Sequence, residues 1–189
     1  MKIDYRDAQG CDFESVYAIA SKELNDGQAY RAYMEDLYLR LGTSVLGVLA
    51  FDGERMIGFA FVEEGMVLTG DRTDYLGDIQ RDIGTDGIWT GAAFAVLEKY
   101  RGYKIGAALF LHAMRALSRI GVQHLLLEIW VRPDGFMPSN TNLATAGHYT
   151  EYGIVHDFYK EASRHGYLCP VCGENCRCSA KIAVVHITV

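Results

Sequence analysis

The chain has 189 residues, half of them apolar and 12% aromatic, with three prolines and a net charge of −6. That composition supports a real core and excludes a disordered or linker-rich chain, and the negative balance argues against a broad nucleic-acid surface. No apolar run approaches the roughly 20 residues that span a bilayer. The opening MKIDYRDAQG is too polar for a secretory signal. The expectation is one cytoplasmic domain over residues 1–189, with no membrane or nucleic-acid partner.

Residues 2–6 read as a short strand. A helix is expected from Asp12, an N-cap type, through Val16, Ile19, Ala20 and Leu24, broken by Asn25, Asp26 and Gly27. A second helix carries Tyr30, Tyr33, Met34, Leu37, Tyr38 and Leu41 and ends at Gly42. Aromatics at that spacing serve the core first, although helices placed this early also wall substrate clefts. Two β-rich runs flank Asp52-Gly53, the signature of a hairpin. Residues 63–86 then hold Glu63, Glu64, Asp71, Asp74, Asp78, Asp82 and Asp86 against Arg72 and Arg81. They read either as a solvated connection or as an acidic rim that attracts a cationic amine.

GIWTGAAFAVLEKY contains an apolar strand of the buried type. Ile105, Ala108, Leu109, Ala113, Ala116, Leu117 and Ile120 follow on one helical face, and Gly121 is placed to stop that helix. HLLLEIWV, residues 124–131, is a second buried strand. A right-handed crossover makes the two strands parallel. Residues 132–153 show no period, and a loop of about 20 residues is often functional. VHDFYKEASRHGY reads as a short helix ending at Gly166, and KIAVVHITV as a strand.

The stretch EKYRGYKIGAALF, residues 98–110, joins the first buried strand to the long helix. Such a turn aims backbone N–H groups at one point, and the helix dipole adds positive potential there. Arg101 and Lys104 bring full charges, and Gly106, Ala107 and Ala108 leave room for a bulky ligand. The spacing matches neither the P-loop nor the dinucleotide fingerprint. On local chemistry alone a phosphate cradle and a plain strand-to-helix connection stand level.

The order of elements breaks the tie. VLEKYRGYKIGAAL resembles the acetyl-CoA motif of the GNAT acetyltransferases, in which a strand is followed by [QR]-x-x-G-x-[GA] at a helix start. Arg101 takes the first position and Gly106 the last, while Lys104 stands where the family usually has its first glycine. The resemblance implies an α/β (α+β) fold with a mixed, V-splayed central sheet flanked by helices. It implies acetyl-CoA as co-substrate, entering where the motif strand and the next strand part. Backbone groups near Phe94, Ala95 and Val96 would then pair with the pantetheine arm. Arg101, Gly102, Tyr103, Lys104, Ile105, Gly106 and Ala107 would hold the pyrophosphate. A backbone N–H of the motif strand would receive the thioester oxygen, and a primary amine would attack directly in a ternary complex. A sheet-edge homodimer is common for this fold.

Proton carriers are less sharply marked. The family often has a tyrosine four residues before a Gly-aromatic pair. Gly166-Tyr167 matches the pair, but Ala162 occupies the tyrosine's place. Tyr159, one turn earlier, is either the general acid or a packed core tyrosine. Glu128 interrupts the apolar run LLLEIWV. Burial there would raise its pKa toward that of a base, and the alternative is a salt-bridged or edge-facing glutamate. His148 and His156 flank the unpatterned region, and histidine is a residue type suited to proton transfer, although a lone histidine is more often structural.

Cys11 stands alone, whereas CPVCGENCRC sets Cys169, Cys172, Cys176 and Cys178 as C-x2-C and C-x-C around a Gly-Glu-Asn turn. A Cys-rich hairpin would bring four thiolates together, which suits tetrahedral zinc. The C-x-C half strains such a site, so reduced thiols, disulfides and a redox role stay open. Zinc there would be structural, because four thiolates leave no open position. The reading is an acyl-CoA-dependent N-acetyltransferase acting on a cationic small molecule or a lysine amine. The alternatives are a catalytically inactive CoA-binding protein and a zinc-knuckle partner-binding protein on the same fold.

Overall fold

A computed structural model describes residues 2–25, 27–65, 73–84 and 86–187. Strand β1 (Ile3–Asp7) leads into helices α1 (Phe13–Glu23) and α2 (Gln28–Leu39). The hairpin β2 (Val45–Asp52) and β3 (Arg55–Glu64) follows, then α3 (Thr73–Ile83), β4 (Ile88–Val96) and α4 (Ile105–Arg119). The second half contains β5 (His124–Val131), α5 (Asn140–Ala146), β6 (Tyr149–Val155), α6 (Lys160–Arg164) and β7 (Ser179–His186). The strands form one sheet in the order β1-β2-β3-β4-β5-β7-β6. The pair β4–β5 is parallel and all other neighbours are antiparallel. No helix among the described residues is long and apolar enough to cross a membrane.

The unbroken apolar run of β5 has a simple cause: both of its faces are covered. Leu125, Leu127 and Ile129 join the main core with Leu109, Phe110 and Leu117 of α4. Leu126 faces the other way, against Ile182, Val184 and the Tyr75 and Ile79 side chains of α3. The β2–β3 hairpin closes on Gly53 and Glu54, because Asp52 pairs with Arg55, and Gly53 takes the left-handed φ of +60° that the tight turn requires.

Several sequence expectations need correction. The second helix stops at Leu39 rather than at Gly42. Within residues 63–86, the described residues form neither a plain connection nor a continuous acidic rim. Glu63 is buried at the end of β3 and accepts hydrogen bonds from the Tyr33 hydroxyl and the Arg40 guanidinium, both at 2.8 Å. Thr73–Ile83 is a helix whose Tyr75 and Ile79 pack inward. Asp71 and Arg72 lie outside the described residues. Residues 132–153 are not structureless either, since they hold α5 and β6. Strand β6 is the sheet edge and mostly exposed, so it has no alternating apolar pattern to read. The helix expected over VHDFYKEASRHGY is only the five residues of α6.

Candidate functional site

Strands β4 and β5 pair over only three positions, from Ile88↔His124 to Thr90↔Leu126. Beyond Thr90, β4 stays with β3 as far as Val96↔Gly58, and β5 stays with β7 as far as Val131↔Ser179. The sheet therefore opens between them. The split coincides with a β-bulge: Val62 pairs with Gly91 and Phe61 with Ala93, which leaves Ala92 outside the ladder. Bulges re-aim backbone groups and are over-represented beside active sites. A Cβ on Gly91 would stand 2.9 Å from Leu127 Cδ2, so glycine lets β5 approach at the apex of the split. The reading of the motif missed Ala92; the glycine inside TGAAF was its signal.

The turn after β4 delivers the start of α4. Gly102 and Lys104 both have positive φ, +84° and +61°. Lys104 thus occupies a left-handed position that suits glycine, at a cost of about 1–2 kcal/mol for a residue with a Cβ. It is also the N-cap of α4, and no side chain caps that end. The Ala108 N–H makes the first intrahelical bond, to the Lys104 carbonyl at 3.0 Å. The N–H groups of Ile105, Gly106 and Ala107 precede it and share the positive end of the dipole. The first turn contains no acidic side chain.

Arg101 points elsewhere. Its guanidinium pairs with the Glu23 carboxylate of α1 and also donates to the Val96 carbonyl at 3.2 Å. The second Glu23 oxygen accepts the Glu98 N–H at 3.2 Å. Glu23 therefore grips both ends of the turn. The charge of Arg101 braces the loop, and Lys104 keeps its charge on the exposed side.

Phe94, Ala95, Val96 and Arg101–Ala107 belong to one continuous β4–turn–α4 unit. Glu128 and Tyr159 belong to the other half. Glu128 is half-buried on β5, opposite Ile182. Tyr159 is the N-cap of α6 and stacks on Tyr167, ring centroids 5.7 Å apart. Burial pushes the Tyr167 phenol well above its usual range, with Tyr159, Cys169, Cys176 and Tyr30 adding to the effect. Burial does the same to Tyr30 on α2. The Gly166 carbonyl oxygen lies only 2.6 Å from where a Cβ on Gly27 would stand, so the α1–α2 turn touches the end of α6. His148 and His156 are exposed; His148 meets His186 edge-on, and His156 Nδ1 lies 3.4 Å from Ser179 Oγ.

The four late cysteines form one cluster, with all four sulfurs within 4.8 Å of one another. Cys169 and Gly173 exchange two backbone hydrogen bonds, at 3.1 and 2.8 Å, and close CPVCG into a knuckle. Burial pushes the Cys176 thiol up to about 12. Burial also raises Cys178, against the indole N–H of Trp130, which favours its thiolate. At Cys172 burial is outweighed by the Arg177 N–H and the neighbouring thiols, and the net shift is downward.

No family model matches the chain, and no curated protein matches it. Solved structures do. The ribosomal-protein-S18-alanine N-acetyltransferase from Escherichia coli superposes with a TM-score of 0.62 at 18% identity, over 100% of this chain and 96% of its own. The chain has the GNAT fold. NAA60 of Arabidopsis thaliana, solved with a bisubstrate analogue, gives a TM-score of 0.65 at 18% identity over 99% of both chains. The PaiA N-acetyltransferase from Thermoplasma acidophilum, solved with coenzyme A, gives 0.56 at 14% identity over 98% of this chain and 99% of its own. The likeness in fold runs the length of the chain.

Proposed function

We propose that the protein is an N-acetyltransferase that moves an acetyl group from acetyl-CoA to a primary amine. The observation that carries this reading is the coincidence of three features at one place. The sheet parts after Thr90, the bulge frees Ala92, and the uncapped α4 start stands at the open end of the split. A thioester at the apex and a pyrophosphate at the helix fit that spacing of functions. The structures that share this fold include one solved with coenzyme A and one with a bisubstrate analogue.

In this reading the backbone of Phe94, Ala95 and Val96 pairs with the pantetheine arm. The Arg101 N–H is spent on the Glu98 carbonyl, so the N–H groups from Gly102 to Ala107 hold the pyrophosphate, and the Lys104 ammonium neutralises part of its charge. The Ala92 N–H receives the carbonyl oxygen as it gains negative charge. The amine attacks the thioester carbon, and the carbon–sulfur bond breaks from the tetrahedral intermediate. Glu128 takes the proton from the amine, and Tyr159 gives one to the leaving thiolate. The acceptor enters from the side walled by the α1–α2 turn and α6. A small-molecule amine and a lysine side chain both fit this chemistry; Glu63 is not part of an attracting rim, because Tyr33 and Arg40 already occupy it.

The test is calorimetric titration with acetyl-CoA, using Gly106→Trp to fill the turn. Micromolar binding that the variant loses supports the reading, and amine panels scored by product mass then identify the acceptor. Absence of binding by the folded wild-type protein overturns it.

A further inference from the structure

Beyond acetyl transfer, the chain carries a second piece of chemistry that the GNAT framework does not use. We propose that Cys169, Cys172, Cys176 and Cys178 hold one zinc ion in a closed site that pins the α6–β7 connection to the end of β5.

Distance is the first argument. Zinc bonded to four sulfurs at about 2.3 Å sets them about 3.8 Å apart in a tetrahedron. The sulfurs of Cys169 and Cys178 are 3.8 Å apart, and those of Cys172 and Cys178 3.6 Å. A disulfide needs about 2.05 Å, and all four cysteines are free. The set has the right size for an ion and the wrong size for two bridges.

The donors around the sulfurs are the second argument. The Cys178 N–H points at Cys176 Sγ, 3.4 Å away. The Arg177 N–H faces Cys172. The indole nitrogen of Trp130 is buried, finds no ordinary acceptor among the described residues, and faces Cys178. Three N–H groups are thus directed at sulfur, a weak acceptor as a neutral thiol and a stronger one as a metal-bound thiolate. Four thiolates within 4.8 Å of one another, three of them buried, would repel without a cation. A metal resolves both problems. Tetrahedral all-thiolate sites select zinc or iron, and four protein ligands leave no place for substrate. The site is therefore structural.

What the ion would hold in place follows from its neighbours. Trp130, Tyr159 and Tyr167 pack directly on the cysteines. The Cys176 N–H donates to Ser163 Oγ of α6 at 3.3 Å. Gly166, next to Tyr167, meets the α1–α2 turn at Gly27. The metal thus stiffens the half of the molecule opposite the β4–α4 unit.

Metal analysis of the intact protein by mass spectrometry, after purification with zinc and without chelator, is the direct test. One zinc per chain is expected. Cobalt exchanged into the site should give the intense thiolate-to-metal absorption of a tetrahedral centre. Cys172→Ser, the least buried of the four, should lose the zinc, while Cys11→Ser should keep it. Hydrogen exchange after zinc removal should accelerate over residues 159–178 and stay unchanged over 105–119. Five titratable thiols, Cys11 included, with no zinc, disulfides found by mass, or iron in the site would each overturn the proposal. These readouts do not depend on acetyl-CoA: a zinc-loaded protein that ignores acetyl-CoA would sink the acetyltransferase reading and leave this one standing.

Discussion

The guanidinium of Arg101 is paired with the carboxylate of Glu23, 78 residues earlier in the chain. Arg101 therefore works as a brace between α1 and the turn. Replacing Glu23 with Ala frees both Arg101 and the Glu98 N–H. The turn then loses its preset shape, and because both lost contacts are exposed the net cost is about 1.5 kcal/mol, which should weaken acetyl-CoA binding roughly tenfold. Calorimetry against wild type reads the difference. Unchanged affinity would mean that the turn holds its shape without the brace.

Lys104 pulls in two directions. Its left-handed backbone disfavours any residue with a Cβ, while its position as the N-cap of α4 puts an exposed cation on the residue that opens the helix. Lys104→Gly should raise stability by about 1 kcal/mol. It should also weaken acetyl-CoA binding, with the deficit shrinking as salt is raised. A thermal melt and a salt series of titrations separate the two effects. A variant that binds as tightly as wild type would show that the ammonium does not reach phosphate.

Gly27 has an ordinary backbone, φ −66° and ψ 149°, so its need for glycine is steric. Gly27→Ala drives a methyl group against the Gly166 carbonyl, and overpacking of this kind costs about 1–3 kcal/mol. The α1–α2 turn and α6 must part. KM for the amine acceptor should change several-fold, whereas affinity for acetyl-CoA should stay within twofold. Steady-state kinetics together with calorimetry make the comparison. Equal losses on both substrates would place the contact elsewhere in the mechanism.

Asp12 is held below the usual carboxylate range, chiefly by its paired hydrogen bonds from Arg6 at 2.7 and 2.8 Å and also by the Gln9 N–H. Its unfolded value is about 3.9. Between the two values the unfolded chain binds more protons, so stability rises with pH there. The contribution is complete above the unfolded value and is lost as pH falls through the folded one. Asp12→Asn should lower stability at neutral pH and flatten this part of the acid limb. Urea melts from pH 2 to 7 test it; parallel curves would remove Asp12 from the account.

The elements legible in the sequence are those whose burial is one-sided or complete. HLLLEIWV is β5 to the residue, because both of its faces are covered. The α4 face from Ile105 to Leu117 follows its helical period into the core. Strand β6 was not legible, since YTEYGIV lies at the edge, mostly exposed, with a register shift between Glu151 and Gly153. In α3 the acidic residues mask a readable pattern: Tyr75, Leu76, Ile79 and Ile83 recur at helical spacing. At the candidate site, the position of the β4–α4 turn could be read from charge and small residues. The bracing of Arg101 by Glu23 could not, because nothing local in either segment names the other. The four cysteines were legible as a group, and only the fold reveals the indole of Trp130 beside them.

The strand order has a consequence for how the chain assembles. In the sheet β7 lies between β5 and β6, and among the described residues β6 pairs with no other strand. A ribosome makes β6 first, yet no docking edge awaits it until residues 179–186 have emerged and zipped onto β5. Late pairings of this kind are slow and leave strand edges bare in the meantime. Pulse-labelled amides should therefore become protected in β6 together with β7 or after it, and the cysteine loop that joins them closes as the last seam of the sheet.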